Sequence, residues 1–167
     1  MKLLIRPAAE VAIKSKPVRR QQMRHLRQNI RKLLARLDDD IHVEGSWDRV
    51  DVAIPDGRGL AGPVIDELCR IPGISTIQEI GVFPWISMDD VAEQAVAAYA
   101  DRIRGKTFAV RVRRQGNQEF RSIDLERFVG AALFEASEPK GVNLRNPDIE
   151  VRLEVHEDHY HIAHRKH

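Results

Sequence analysis

Hydrophobic positions recur along this chain in two periods, and the order of the two predicts its elements. Residues 3–5 read as a short strand. From Pro17 onward Met23, Leu26, Ile30, Leu33, Leu34 and Leu37 fall at helical spacing, so a long helix is predicted. Proline near its start costs nothing, because the first helical N–H groups have no partner anyway. Asp38, Asp39 and Asp40 end it. Two strands follow over 41–46 and 50–54, with Trp47-Asp48 near their turn. A glycine-rich connection over 55–62 leads to a short helix over 63–70, which Ile71-Pro72-Gly73 stops, and then to a strand over 74–82.

The second half repeats neither order nor sequence. Ser87 stands as the cap of a helix with the stripe Val91, Ala95, Val96 and Tyr99. In the next strand Phe108, Val110 and Val112 fall on one face, and Ala109, Arg111 and Arg113 on the other. A turn is predicted at Gly116-Asn117. Ser122 stands where a helix cap belongs, with Asp124 in the first turn and Leu125, Phe128, Val129, Ala132 and Ala136 at helical spacing. A loop holding Pro139, Gly141 and Pro147 precedes a strand in which Ile149, Val151, Leu153 and Val155 alternate with charged residues. A last strand covers 160–164 after a turn at Glu157-Asp158. The fold class is α+β: a βαββαβ domain over 1–77, the ferredoxin-like arrangement, and an α/β domain over 78–167. The chain stops just past its last strand without capping or linker signals, and reads as interrupted rather than finished.

Composition narrows the function less than charge placement does. Hydrophobic residues are 43% and charged residues 31%, ordinary for a folded domain. Net charge is only +2, so overall charge demands no nucleic acid. No apolar run approaches the roughly 20 residues that span a bilayer, and a charge interrupts the apolar start, against a signal peptide. A single cysteine excludes an intramolecular disulfide and fits a reducing compartment, with the cytoplasm as default.

The long helix carries the sharpest charge signal. Nine basic residues lie between Val11 and Leu37 with no acidic one: Lys14, Lys16, Arg19, Arg20, Arg24, Arg27, Arg31, Lys32 and Arg36. Arg20, Arg24, Arg27 and Arg31 make one continuous stripe at 100° per residue. A solvated helix would mix signs for pairs four apart. A polyanion-binding face accounts best for the asymmetry. A face paired with acids elsewhere, and a helix lying on a membrane, are the alternatives; the second conflicts with the need of the apolar stripe for the core.

Lys106, Arg111, Arg113 and Arg114 are either an ordinary exposed strand face or a polyphosphate site, since a guanidinium offers a planar fork to phosphate oxygens. Five of seven histidines lie at the end of the chain: His156, His159, His161, His164 and His167. His159 and His161 share a strand face, a geometry able to bind metal, but nothing at a fixed spacing completes a closed site, and no metal is expected. Cys69, between apolar neighbours, is expected to be a buried core residue without a catalytic partner. The loop at 55–59 lacks the Lys-Ser/Thr ending of a phosphate cradle. No catalytic residue is expected in this chain.

The segment from 106 to 133 resembles the core of a THUMP domain, an RNA-binding module of tRNA-modifying enzymes. Gly105-Lys106-Thr107-Phe108, Val110-Arg111-Val112-Arg113-Arg114, Phe120, Ser122-Ile123-Asp124, Arg127 and Gly130 match the pattern of the tRNA 4-thiouridine synthetases, or tRNA sulfurtransferases (the ThiI family). Further matches run along nearly the whole chain: Glu10-Val11-Ala12-Ile13-Lys14-Ser15, Ser46-Trp47-Asp48, Arg70-Ile71-Pro72-Gly73-Ile74 and Asn146-Pro147-Asp148. The family often has proline just before the glutamate of its first motif, where Ala9 stands here.

The resemblance implies an N-terminal ferredoxin-like domain followed by a THUMP domain that together hold tRNA, with the THUMP domain gripping the single-stranded 3′ end of the acceptor arm. It implies tRNA contact by Lys106, Arg111, Arg113, Arg114 and Arg127, beside Lys14, Arg20, Arg24, Arg27 and Arg31 of the basic segment. It also implies that the ATP-binding pyrophosphatase loop and sulfur-carrying cysteines lie outside this chain, which itself needs no cofactor. The parent enzyme would use ATP and a cysteine desulfurase as sulfur donor to make 4-thiouridine at position 8 of tRNA, and some members also support thiazole synthesis for thiamine. A homodimer is possible, and a small structural or dimerisation domain without RNA is the competing reading. Gly130, mid-helix, implies a close backbone approach there, by a packed neighbour or by RNA.

Overall fold

Leu3 and Ile5 fall on one face of β1 (Lys2–Pro7), and both are fully buried. That buried face anchors the first of two units into which the chain divides, residues 1–80 with 165–167, and residues 81–164. The computed structural model describes residues 1–167, the side chain of Ala12 excepted.

In the first unit β1 lies antiparallel between β3 (Val50–Ala53) and β4 (Ile74–Pro84), and β3 pairs with β2 (His42–Gly45), giving the order β2-β3-β1-β4. Leu3 stands opposite Val52, and Ile5 opposite Val50 and Ile77, so one face of the sheet is continuously apolar. Against it pack Met23, Ile30 and Leu34 of α2 (Lys16–Ala35), with Val64 and Leu68 of α3 (Ala61–Cys69). This is the ferredoxin-like arrangement that the βαββαβ pattern predicts. One element was not legible: α1 (Ala9–Ala12), a single turn too short for periodicity to show. Its approach is fixed by the Ala8 N–H, which donates to the Gly73 carbonyl at 2.8 Å. The last residue of the chain returns to this unit, where His167 and Ile77 exchange backbone bonds of 2.8 and 3.1 Å.

In the second unit β5 (Thr107–Arg114) runs parallel to β6 (Gly141–Val142) and β7 (Ile149–Val155), and β7 is antiparallel to β8 (His159–Lys166), in the order β8-β7-β5-β6. The helices α4 (Met88–Ile103) and α5 (Ser122–Ser137) contribute Val91, Ala95, Tyr99, Leu125, Val129 and Leu133 to a core with Phe108, Val110, Val151, Leu153, Tyr160 and Ile162. Ser87 caps α4 as predicted, its Oγ accepting from the Asp90 N–H at 3.2 Å.

Three local expectations are corrected. Ser122 is the first residue of α5 rather than its cap; Arg121 is the cap, and the Asp124 carboxylate reaches back to its N–H at 3.0 Å. Cys69 is exposed, not buried, because it is the last residue of α3 and turned away from the Val64–Leu68 side. Beside Gly130, an added Cβ would stand 3.9 Å from Val110, an ordinary contact, so packing does not require glycine there.

Candidate nucleic-acid interface

The basic stripe of α2 faces two environments. Arg27 donates to the Gly45 carbonyl at 3.2 Å and Arg31 to the Val43 carbonyl at 2.9 Å. β2 is the edge of its sheet, so these carbonyls have no strand partner on that side, and the two arginines satisfy them. Arg24 and Arg20, one and two turns earlier, are exposed, as is Lys14. Arg19 lies over the Trp47 ring at 4.8 Å, a cation–π contact. None of Lys14, Arg20, Arg24, Arg27 and Arg31 has a carboxylate within ion-pair distance among the described residues; the acids of this unit pair with Met1, Lys2, His42, Arg49, Arg58, Arg70 and His167. The reading in which the stripe is neutralised by acids elsewhere in its unit has no support in these contacts.

The second unit separates the other predicted residues. Arg111 and Arg113 share the sheet face opposite Phe108 and Val110. Arg111 is tied down, donating to the Leu144 carbonyl at 2.6 Å and lying 3.8 Å from the Glu150 carboxylate. Arg113 is exposed and forms no ion pair among the described residues. Arg114, at the strand end, bends to the Phe120 carbonyl. Arg127 is exposed on α5, the layer on the opposite side of the sheet, and Lys106 is exposed just before β5. The five residues therefore do not share one face: Arg111 and Arg113 lie together on one sheet face, Arg114 falls at the strand end with the parity of Phe108 and Val110, Arg127 is on α5, and Lys106 precedes the strand.

Two cations joined to these positions were not singled out from sequence. Arg152 of β7 stands beside Arg111 in register, is exposed, and pairs with Glu150 at 2.8 Å. Strand alternation over 149–155 was the signal that could have found it. Lys140 comes beside Lys106, whose carbonyl accepts its N–H at 2.9 Å, through the β5–β6 pairing. β6 has two residues, too few for a pattern.

Asp148 fixes the start of the β5–β7 pair. Its carboxylate accepts from the backbone N–H and the hydroxyl of Thr107, both at 3.0 Å, while the Thr107 hydroxyl accepts from the Asp148 N–H. The Thr107 N–H, then its hydroxyl, hold the Asp148 carboxyl below the usual carboxylate range. The motif 146–148 is thus a clamp that sets the register in which Arg111 and Arg113 are presented.

Comparisons with known proteins follow the same division. A family model described as the ThiI ferredoxin-like domain matches residues 2–77, and one described as the THUMP domain matches residues 86–165. The whole chain is 75% identical to a tRNA sulfurtransferase of Marinobacter nauticus, covering 34% of that protein. Over 159 residues it is 41% identical to a tRNA sulfurtransferase of Shewanella sp., covering 33% of it. The chain thus spans about a third of the length of these relatives. Among solved structures, a protein from Pyrococcus horikoshii matches 99% of this chain with TM-score 0.72 at 21% identity, over 54% of its own length. A 4-thiouridine synthetase solved with RNA and ATP matches 99% of it with TM-score 0.69 at 21% identity, over 41% of its own length.

Proposed function

We propose that this chain, which belongs to the tRNA sulfurtransferase family through its ThiI ferredoxin-like and THUMP domains, is the part of such an enzyme that holds tRNA while 4-thiouridine is made. The observation that carries the reading is the basic stripe of α2, which has no acidic residue in its own segment and, among the described residues, no carboxylate within ion-pair distance. Cations left without anions on a rigid helix are a ready site for a phosphate backbone. The structure of a 4-thiouridine synthetase with RNA, which shares the fold, is in keeping with this.

In this reading the α2 stripe follows the phosphates of the acceptor arm. Arg113 and its neighbours meet the single-stranded 3′ end, where a guanidinium can fork onto a phosphate or lie on a splayed base. Removing the terminal CCA from tRNA should then weaken binding to the chain; equal affinity for intact and trimmed tRNA would contradict the 3′-end assignment.

Activation of the uridine by ATP and delivery of sulfur by a persulfide, supplied by a cysteine desulfurase, are assigned to the part of the relatives' length that this chain does not span. The same holds for the link to thiazole synthesis. A substrate of cytoplasmic tRNA and a lone thiol favour the cytoplasm, and no helix of the described residues is long and apolar enough to cross a membrane. Cys69 is accessible, but no loop built to hold ATP phosphates accompanies it. The isolated chain, given ATP, tRNA and a persulfide donor, should incorporate no sulfur into tRNA; thiolated product would contradict this division of labour.

A further inference from the structure

The hairpin formed by β7 and β8 gathers three histidines that the RNA reading does not use. Val155 stands opposite Tyr160 and Glu154 opposite His161. The same pairing continues into the turn, where the His156 N–H donates to the His159 carbonyl at 2.8 Å. Side chains in a strand alternate. Val155 and Tyr160 are buried in the core, so Glu154, His156, His159 and His161 all project from the opposite face. They form two facing pairs, His156 with His159 and Glu154 with His161.

The three rings are close. The centroids of His156 and His159 are 4.4 Å apart, those of His156 and His161 5.0 Å, and those of His159 and His161 5.1 Å. One nitrogen from each lies within 4.8 Å of the other two. All three side chains are half-buried, which limits their rotamers while leaving access from solvent.

Two carboxylates stand beside ring nitrogens of this cluster. Glu154 Oε1 is 2.9 Å from His156 Nε2, and Asp158 Oδ1 is 2.6 Å from His159 Nδ1. At His159 the carboxylate bonded to Nδ1 leaves the other ring nitrogen toward solvent for a ligand role, the arrangement usual behind metal-bound histidine, whereas His156 Nε2, though near Glu154, makes no hydrogen bond and is a buried nitrogen without a partner.

We propose that His156, His159 and His161 form a binding site for one divalent transition ion that prefers imidazole nitrogen, of the class of Zn²⁺, Ni²⁺ and Cu²⁺, with Asp158 orienting His159. With metal–nitrogen distances of about 2.0–2.1 Å, ligand nitrogens in a tetrahedral site stand about 3.3 Å apart. Reaching that value from separations of up to 4.8 Å requires the parallel His156 and His159 rings to turn toward the ion. A fourth position would remain for water. Sequence inspection saw His159 and His161 as a pair without a third ligand; the tight turn at Glu157-Asp158 is what brings His156 to them.

The test is calorimetric titration of the chain, prepared without an affinity tag, with Zn²⁺ and with Ni²⁺, beside the visible spectrum with Co²⁺. One ion per chain at micromolar affinity or tighter is expected, together with a rise in melting temperature that a chelator reverses. His159→Ala and His161→Ala should each weaken binding at least about 10-fold, and Asp158→Asn by about 10–100-fold, as for other groups that support a metal ligand. His25→Ala and His42→Ala should bind as the parent does. No stoichiometric binding, or equal loss on replacing His42 and His161, would overturn the site. Because two ligands are tested singly and melting is followed in each, a folding failure of one variant leaves the other to decide.

Discussion

Arg113 and Val110 share β5 but face opposite ways, and they separate binding from stability. Arg113 is exposed without an ion pair among the described residues, whereas Val110 is buried in the core of its unit. Arg113→Ala should change stability by no more than about 0.5 kcal/mol while weakening tRNA binding by about 1 kcal/mol or more, the worth of a charge-assisted bond. Val110→Ala should cost about 2 kcal/mol of stability through lost burial and the cavity left, with tRNA affinity unchanged while folded. Thermal melting beside tRNA binding for both variants decides it; an Arg113→Ala protein that binds tRNA normally would remove this strand from the interface. Arg111 is a poorer probe, because its bond to the Leu144 carbonyl mixes a structural role with any binding role. Strand alternation made the sides of Arg113 and Val110 legible in the sequence. It did not reveal the tether of Arg111 or the bend of Arg114 to Phe120, because those depend on loops whose path no period encodes.

The helix α2 carries both kinds of arginine on one stripe. Arg20 and Arg24 are exposed, whereas Arg27 and Arg31 close the edge of β2 through the Gly45 and Val43 carbonyls. Replacing Arg20 and Arg24 together by alanine should therefore lower tRNA affinity with little change in melting. Replacing Arg27 and Arg31 should also lower the melting temperature, since each bond to a carbonyl is worth about 0.5–1.5 kcal/mol, more when the donor is charged. Chemical denaturation of the two double variants, each with a tRNA titration, checks this; equal stability loss in both would mean that the stripe is one structural unit. The helix, its apolar stripe and its unbalanced charge were all readable, because 20 residues give a period room to show. The single turn α1 and the two residues of β6 were not, since neither completes a repeat.

At the scale of the whole molecule, the order of elements was enough to predict a ferredoxin-like first unit, because each strand and helix there has a clean apolar face and short connections. The sequence pattern was less informative about which cations gather. Arg152 joins Arg111 only through the parallel pairing of β5 and β7, and Lys140 joins Lys106 only through β6. Long-range pairing, not local pattern, sets those neighbours. The account rests on the claim that the chain binds tRNA through its basic surfaces. Its most direct test is the affinity for intact tRNA measured across a series of salt concentrations. With roughly four to six phosphates contacted, each adding about 0.7–0.9 to the slope, log affinity should fall against log salt with a slope of about −3 to −5. An affinity that stays flat with salt, or no binding at low salt, would contradict it.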